Sequence, residues 1–295
     1  MADPLHQAIA QIIRRHDADF DLVDCRAVGG GSINSALRFR GRERSYFVKL
    51  NAASAVAMFE AEAQGLQELA GSAAVRVPEV ICYGVIEARS YLICEWLELG
   101  AAGQRSAGML GRQLADMHRH TRPVFGWLRD NTIGSTPQCN LESADWIAFW
   151  REQRLGFQLK LGARNGFPSS LLDKGERLVT RLDKLLDGHR PAASLLHGDL
   201  WGGNWGALAD GSPVLFDPAV YYGDREADIA MTELFGGFPD AFYVAYRESW
   251  PLDEGYAMRR TLYNLYHILN HANLFGGGYA SQASGMIEHL LAEAG

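Results

Sequence analysis

The stretch Leu195–Trp205, LLHGDLWGGNW, decides how the rest of the chain is read. A short apolar run ends in His197, and a loop broken by Gly198, Gly202 and Gly203 then presents Asp199 and Asn204, five residues apart. A second apolar run, VLFDP, brings Asp217 thirteen residues after Asn204. A carboxylate on a loop leaving a buried strand can accept a proton from a substrate hydroxyl. An Asn carbonyl oxygen and a second carboxylate are hard ligands suited to Mg²⁺. Phosphoryl transfer calls for that set, with one group to position the nucleophile and a metal to neutralise phosphate charge. Asp and Asn in a glycine-rich segment are ordinary turn residues when they stand alone. The spacing H-x-D-x-x-x-x-N, followed by a strand that ends in Asp, is far more specific than any one of its members.

Phosphate-binding groups are then expected upstream. Lys49 closes the strand SYFVKL between apolar neighbours, so it either snorkels at a strand end or points into a cleft at phosphate. Glu62, on the amphipathic segment that follows, is placed to pair with Lys49; Glu60, two residues away on another face, is its rival. Gly29, Gly30 and Gly31 in VGGGSIN sit in the turn between the first two strands, where free N–H groups can cradle phosphate, although hairpin turns also use glycine. LICEWLE fits the segment joining two lobes. Backbone groups from Glu95 to Leu97 would there meet an adenine edge, the alternative being an ordinary edge strand.

The periodicities give an α+β chain of two lobes. Residues 1–98 form a β-rich N-lobe with one main helix, and residues 99–295 a mostly helical C-lobe. ALRFRG and RSYFVKLN alternate as two strands around the turn GRER. SAVAMFEAEAQGLQELA is the helix, with Ser54 as its N-cap. VPEVICYGVIE and SYLICEWLE are two further strands. SAGMLGRQLADMHRHT, SADWIAFWREQRLGFQLKL and LLDKGERLVTRLDKLLDG each read as one helix, and a β-island from ASLLHGDL to SPVLFDP interrupts them. The tail from Gly255 returns to helix, with FGGGY separating two helices.

The 295 residues are 47% hydrophobic and 21% charged, with a formal net charge of −7. That balance argues against a nucleic-acid partner, whose binding runs on clustered Lys and Arg. Cys25, Cys82, Cys94 and Cys139 form no C-x-x-C pair and read as reduced thiols of a cytoplasmic protein. No apolar run approaches the ~18 residues that span a bilayer, so no membrane partner is expected. G-x-S-x-G is absent, which disfavours a hydrolase. HILNH lacks the Glu of H-E-x-x-H, so His267 and His271 read as a packed or solvated pair, and MHRHT as a charged helix end.

HGDLWGGNW, FDPAVYYGDREADIAM, FGWLRDNTIGSTPQCN and FGGGY together resemble the fructosamine kinase family of the protein-kinase-like phosphotransferases, in family order from about Val28 to Tyr279. The resemblance implies an ATP- and Mg²⁺-dependent kinase that phosphorylates a sugar hydroxyl of ketosamines such as ribulosamine and fructosamine adducts. It would work in deglycation, because 3-phosphorylated ketosamines decompose. By position it implies Asp199 as catalytic base, Asn204 and Asp217 as Mg²⁺ ligands, Lys49 as the ATP phosphate lysine, Glu62 as its partner and Trp201 as an aromatic for the sugar. His197 is then expected to brace the loop and Trp205 to pack beneath it. Tyr221, Tyr222 and Asp224 line the substrate side, or Asp224, Glu226 and Asp228 cap and anchor the next helix. Some members carry a Cys in the glycine loop; Ser32 stands here, so no redox switch is expected there. An aminoglycoside or choline kinase on the same fold, and a non-catalytic nucleotide-binding protein, are the rival readings.

Overall fold

The first hundred residues alternate apolar and polar side chains over short runs, and they fold into a five-stranded antiparallel sheet. This computed structural model describes residues 3–29 and 33–295. Helix α1 (Pro4–His16) is capped by Asp3, whose carboxylate accepts the Leu5 N–H at 2.9 Å. Strands β1 (Asp24–Ala27), β2 (Ser35–Arg40) and β3 (Ser45–Ala52) precede α2 (Val56–Gly71), and β4 (Val80–Ile86) and β5 (Arg89–Glu95) follow it. The sheet order is β1-β2-β3-β5-β4. Side chains alternate across it. Tyr91 and Ile93 join Ile9 and Ile13 of α1 on one face, while Leu92 and Cys94 join Phe59, Leu66 and Leu69 of α2 on the other. Ser54 is not the cap of α2: it lies in a 3₁₀ turn, Ala53–Ala55, that leads into the helix without any side-chain cap.

Past Glu98 the chain joins the second lobe at once, because β6 (Leu99–Gly100) pairs with a C-lobe strand. Helix α3 (Gln104–His118), β7 (Thr121–Arg122) and the hairpin β8 (Asn131–Ile133)–β9 (Thr136–Gln138) come next. The expected single helix after Asp145 is α4 (Trp146–Phe149), a π-helical stretch Trp150–Leu155 and α5 (Gly156–Arg164) in succession. The wide turn carries Arg154 wholly inside, its guanidinium 4.0 Å from the Tyr221 ring centre and bonded to the Cys139 carbonyl. A second expected helix is broken into α6 (Ser169–Val179) and α7 (Leu182–Leu185); the Thr180 hydroxyl bonds back to the Arg177 carbonyl at the break.

The β-island comprises β10 (Ala193–Leu196), β11 (Trp205–Leu208), β12 (Pro213–Leu215) and β13 (Tyr221–Gly223), in two small sheets ordered β13-β10-β7 and β12-β11-β6. Helices α8 (Glu226–Glu233), α9 (Asp240–Ser249), α10 (Tyr256–Phe275) and α11 (Tyr279–Glu293) complete the lobe. Gly276 and Gly277 separate the last two at φ +64° and +62°, a conformation that glycine adopts without penalty. Among the described residues no helix is long and apolar enough to cross a membrane.

Candidate active site

Lys49, more than nine-tenths buried, is the hub of the cleft between the lobes. The β3–β5 register sets it opposite Leu92. Its Nζ lies 2.6 Å from Glu62 Oε1 and 2.7 Å from Asp217 Oδ1, so strand, helix and C-lobe meet at one ammonium. Burial alone would lower the Lys49 pKa; Asp217 and Glu62 outweigh it and hold the ammonium charged. Glu60 pairs instead with Arg129 at 3.2 Å, which resolves the choice between the two glutamates. Asp217 reaches the cleft from the end of β12 with φ +57°, a conformation that is costly for most side chains and tolerated by Asp.

The loop between β10 and β11 supplies the opposite wall. Asn204 donates from Nδ2 to the Asp199 backbone oxygen at 2.8 Å and more weakly to Asp199 Oδ2 at 3.3 Å. Burial, then the charge of Asp217, pushes the Asp199 carboxyl up to about 7, against the Asn204 hydrogen bond. His197 braces this loop as expected. Its Nε2–H donates to the Phe216 carbonyl at 3.0 Å and its Nδ1 accepts the Asp199 N–H at 3.3 Å, which defines a neutral tautomer; burial lowers its pKa. Gly198 has φ +83°, and an added Cβ would collide with the Ala219 carbonyl. Trp201 folds its ring over Gly203 and keeps 40% of its surface exposed, while Trp205 packs on Phe238 at 5.4 Å.

Tyr221 and Tyr222 are corrected as substrate-side residues, and for Asp224 the structure fits the other reading, a cap of the next helix. Tyr221 is buried, stacked on Phe149 at 5.9 Å and under Arg154, so it is core. Tyr222 points the other way and donates to Glu68 at 2.7 Å. Asp224 is buried, takes His189 at 2.6 Å and the Tyr263 hydroxyl, and caps α8 by accepting the Glu226 N–H at 3.0 Å. In the joining segment, the Glu95 side chain is engaged by Arg76 and the Glu79 N–H, and its own amide by the Glu79 carbonyl. The Trp96 amide bonds to Ser45, which leaves the Leu97 amide without a backbone partner among the described residues. Gly29 is exposed with open space about it; Gly30 and Gly31, like Ser32, lie outside the described residues.

Several supporting residues carried no clear signal in the sequence. Asp228 accepts the N–H groups of His197 and Gly198 at 2.7 and 2.8 Å and also meets His118. His118, expected in a charged helix end, is therefore fully buried behind the loop. Asn131 and Gln138, in the hairpin β8–β9, donate to the Val220 and Ala219 carbonyls just past Asp217. In the sequence they stand within the family-like stretch FGWLRDNTIGSTPQCN, where neither has an assigned role. A cavity of about 420 Å³ lies beside α2, lined by Gln64, Glu68, His120 and Tyr222, and does not include Asp199.

The donor set fits Mg²⁺. With Asn204 Nδ2 committed, its Oδ1 is the atom left for a ligand, and Asp217 keeps one oxygen free of Lys49 on a half-exposed side chain. These are hard oxygen donors without thiolate or imidazole, and beside them burial, then the charge of Asp217, raises the Asp199 pKa.

A β-rich lobe over a helical lobe, with a strand Lys joined to a helix Glu across a cleft, is the protein-kinase-like class of fold. The model of the family described as fructosamine kinase matches residues 5–293, and the chain belongs to that family. A probable ketoamine kinase of Synechocystis is 47% identical over 97% of this chain and 96% of its own length. The chloroplastic protein-ribulosamine 3-kinase of Oryza sativa subsp. indica is 44% identical over 90% of this chain and 78% of its own. Among solved structures, one described as a fructosamine-3-kinase from Haemophilus somnus 129PT superimposes with a TM-score of 0.88, at 31% identity and 96% coverage of both chains.

Proposed function

We propose that this chain is an ATP-dependent kinase that phosphorylates a sugar hydroxyl of ketosamines and serves deglycation. The observation that carries the reading is Lys49 held between Glu62 and Asp217, facing a loop with Asp199 and Asn204, in a chain of this family. Lys49 holds the ATP phosphates, and Glu62 fixes its ammonium. Asp217 and Asn204 are the residues that would hold Mg²⁺, which when bound neutralises charge on the phosphates. Gly29 to Gly31 cover the phosphates, and Leu97, with Glu95 beside it, meets the adenine edge. The lobe boundary falls at residues 98 and 99, where the chain leaves the joining segment for β6.

Asp199 accepts and orients the attacking hydroxyl. A carboxyl lifted to about 7 is matched to taking a proton near neutrality. Trp201 offers its exposed face to sugar C–H groups and its indole N–H to a hydroxyl. The rate gain is then mostly positioning and electrostatics. The free thiols and acidic surface suit work in the cytoplasm, without nucleic acid or membrane as partner. A panel of ribulose-, erythrulose- and fructose-lysine with MgATP, alongside aminoglycosides and choline, tests the reading. ATP consumption with a ketosamine supports it. Turnover of an aminoglycoside or choline alone moves the chain to another alcohol-kinase specificity, and no turnover at all leaves a nucleotide-binding protein.

A further inference from the structure

We propose that Glu68 is a positioning residue which, through Tyr222 and Arg122, sets α2 so that Glu62 reaches Lys49. The inference rests on the ATP-kinase reading. Residues 62, 65 and 68 lie on one i±3 ridge of α2, and each meets the segment that begins at Asp217. Glu62 meets Asp217 through the shared ammonium of Lys49. Gly65 lies so close that an added Cβ would stand 3.2 Å from Val220 Cγ2 and 3.7 Å from Pro218 Cγ. Glu68 Oε1 accepts the Tyr222 hydroxyl at 2.7 Å and Arg122 Nη2 at 2.8 Å, and the Arg122 guanidinium stacks 4.4 Å over the Tyr222 ring. Helix and strand segment therefore run in step over about 9 Å of α2.

The far end of that contact is polar and loosely surrounded. The cavity of about 420 Å³ is lined by Glu68 and Tyr222 as well as Trp127 and His120. Leu66 and Leu69 pack the opposite stripe of α2 against the sheet, and on the face toward Tyr222 the hydrogen bonds of Glu68 set the pose of the helix. Tyr222 lies five residues after Asp217, in β13, so the same bonds tie Glu62 to the proposed metal ligand. Cutting the latch frees α2 to turn into the cavity and draws Glu62 from Lys49.

The test is MgATP titration of the full chain without acceptor, with thermal melts and steady-state kinetics on the same samples. Glu68→Ala is expected to weaken MgATP binding about tenfold, the loss of one charge-assisted hydrogen bond. Its kcat falls as well, while KM for the ketosamine stays at the wild-type value. Glu68→Gln still accepts from Tyr222 and Arg122 and restores most of the affinity; Tyr222→Phe loses about threefold. If Glu68→Ala does not fold, the Gln and Phe variants decide by the same ordering. Wild-type MgATP affinity and kcat in Glu68→Ala, whatever its melting temperature, overturn the proposal, as does a Gln variant no better than Ala. A wild-type chain that binds no MgATP brings down the kinase reading and this inference with it, whereas failure of the variants alone strikes only the latch.

Discussion

Two groups of acidic side chains lie close together in the molecule and meet their charge in opposite ways. In the cleft, Glu62 and Asp217 share the single ammonium of Lys49, while Asp199 has only the Asn204 amide against it and burial, then the charge of Asp217, raises its pKa. Behind the loop, Asp224, Glu226 and Asp228 are each matched. Asp224 holds His189 and Tyr263, Glu226 holds Arg259 through both oxygens at 2.6 and 2.9 Å, and Asp228 holds two loop amides and His118. Burial would raise all three carboxyls; hydrogen bonds outweigh it at Asp224 and Asp228 and hold both below the usual range, while Glu226 stays raised by burial despite its two bonds to Arg259. His189, Asp224 and Glu226 even lie within metal-ligand reach of one another. Their partners already satisfy them, so proximity alone makes no metal centre there. Charge left over marks the place where a ligand must come; charge cancelled marks scaffold.

The sharpest break of this contrast lies in the cleft. Asp199→Asn should lower kcat by roughly 10²–10⁴-fold while MgATP still binds, whereas Asp217→Ala should abolish MgATP binding. Kinetics and titration on both variants check this, and equal loss of binding in the two refutes the division of roles. Behind the loop, Asp228→Ala orphans two buried N–H groups and should cost about 3 kcal/mol, a drop in Tm on the order of 5–10 °C, measured by thermal melt. An unchanged Tm would place the loop's support elsewhere. The smallest effect is pH-dependent. The folded-state pKa of Asp199 is above its unfolded value, so burying its charge costs little at pH 4, costs progressively more as pH rises, and costs fully above about 7. Asp199→Asn should thus raise the Tm of the nucleotide-free chain by a few degrees at pH 8 and leave it alone at pH 4. An equal shift at both values means that the strain is not electrostatic.

The contrast also explains what could be read without coordinates. Lys49, Glu62, Asp199, Asn204 and Asp217 stand in an order and spacing that local strand and helix patterns expose, and the fold brings Lys49, Glu62 and Asp217 to one point. Glu60 and Glu62 were harder to separate, because the stripe of Phe59, Ala63 and Leu66 leaves both on flanking faces and only Arg129 tells them apart. The scaffold acids could be read as caps of the next helix, one of two readings, but their partners could not be read at all. Asp224 answers to His189 and Tyr263, and Asp228 to His118, all distant in the chain. No periodicity in YYGDREADIAM announces those partners. Tyr221 and Tyr222 alternate across β13, and which one faced the cleft depended on Arg154 and Glu68, which come from other elements; neither faces it.

One consequence of the His197 geometry remains. Both ring nitrogens are occupied, one giving its hydrogen to Phe216 and the other receiving that of Asp199, so a second proton on the imidazole has nowhere to go unless the loop opens. The side chain most prone to switch charge near neutrality is thereby taken out of titration. Mild acidification should leave the shape of the loop intact, and the enzyme's response to it is written in a carboxylate instead of an imidazole.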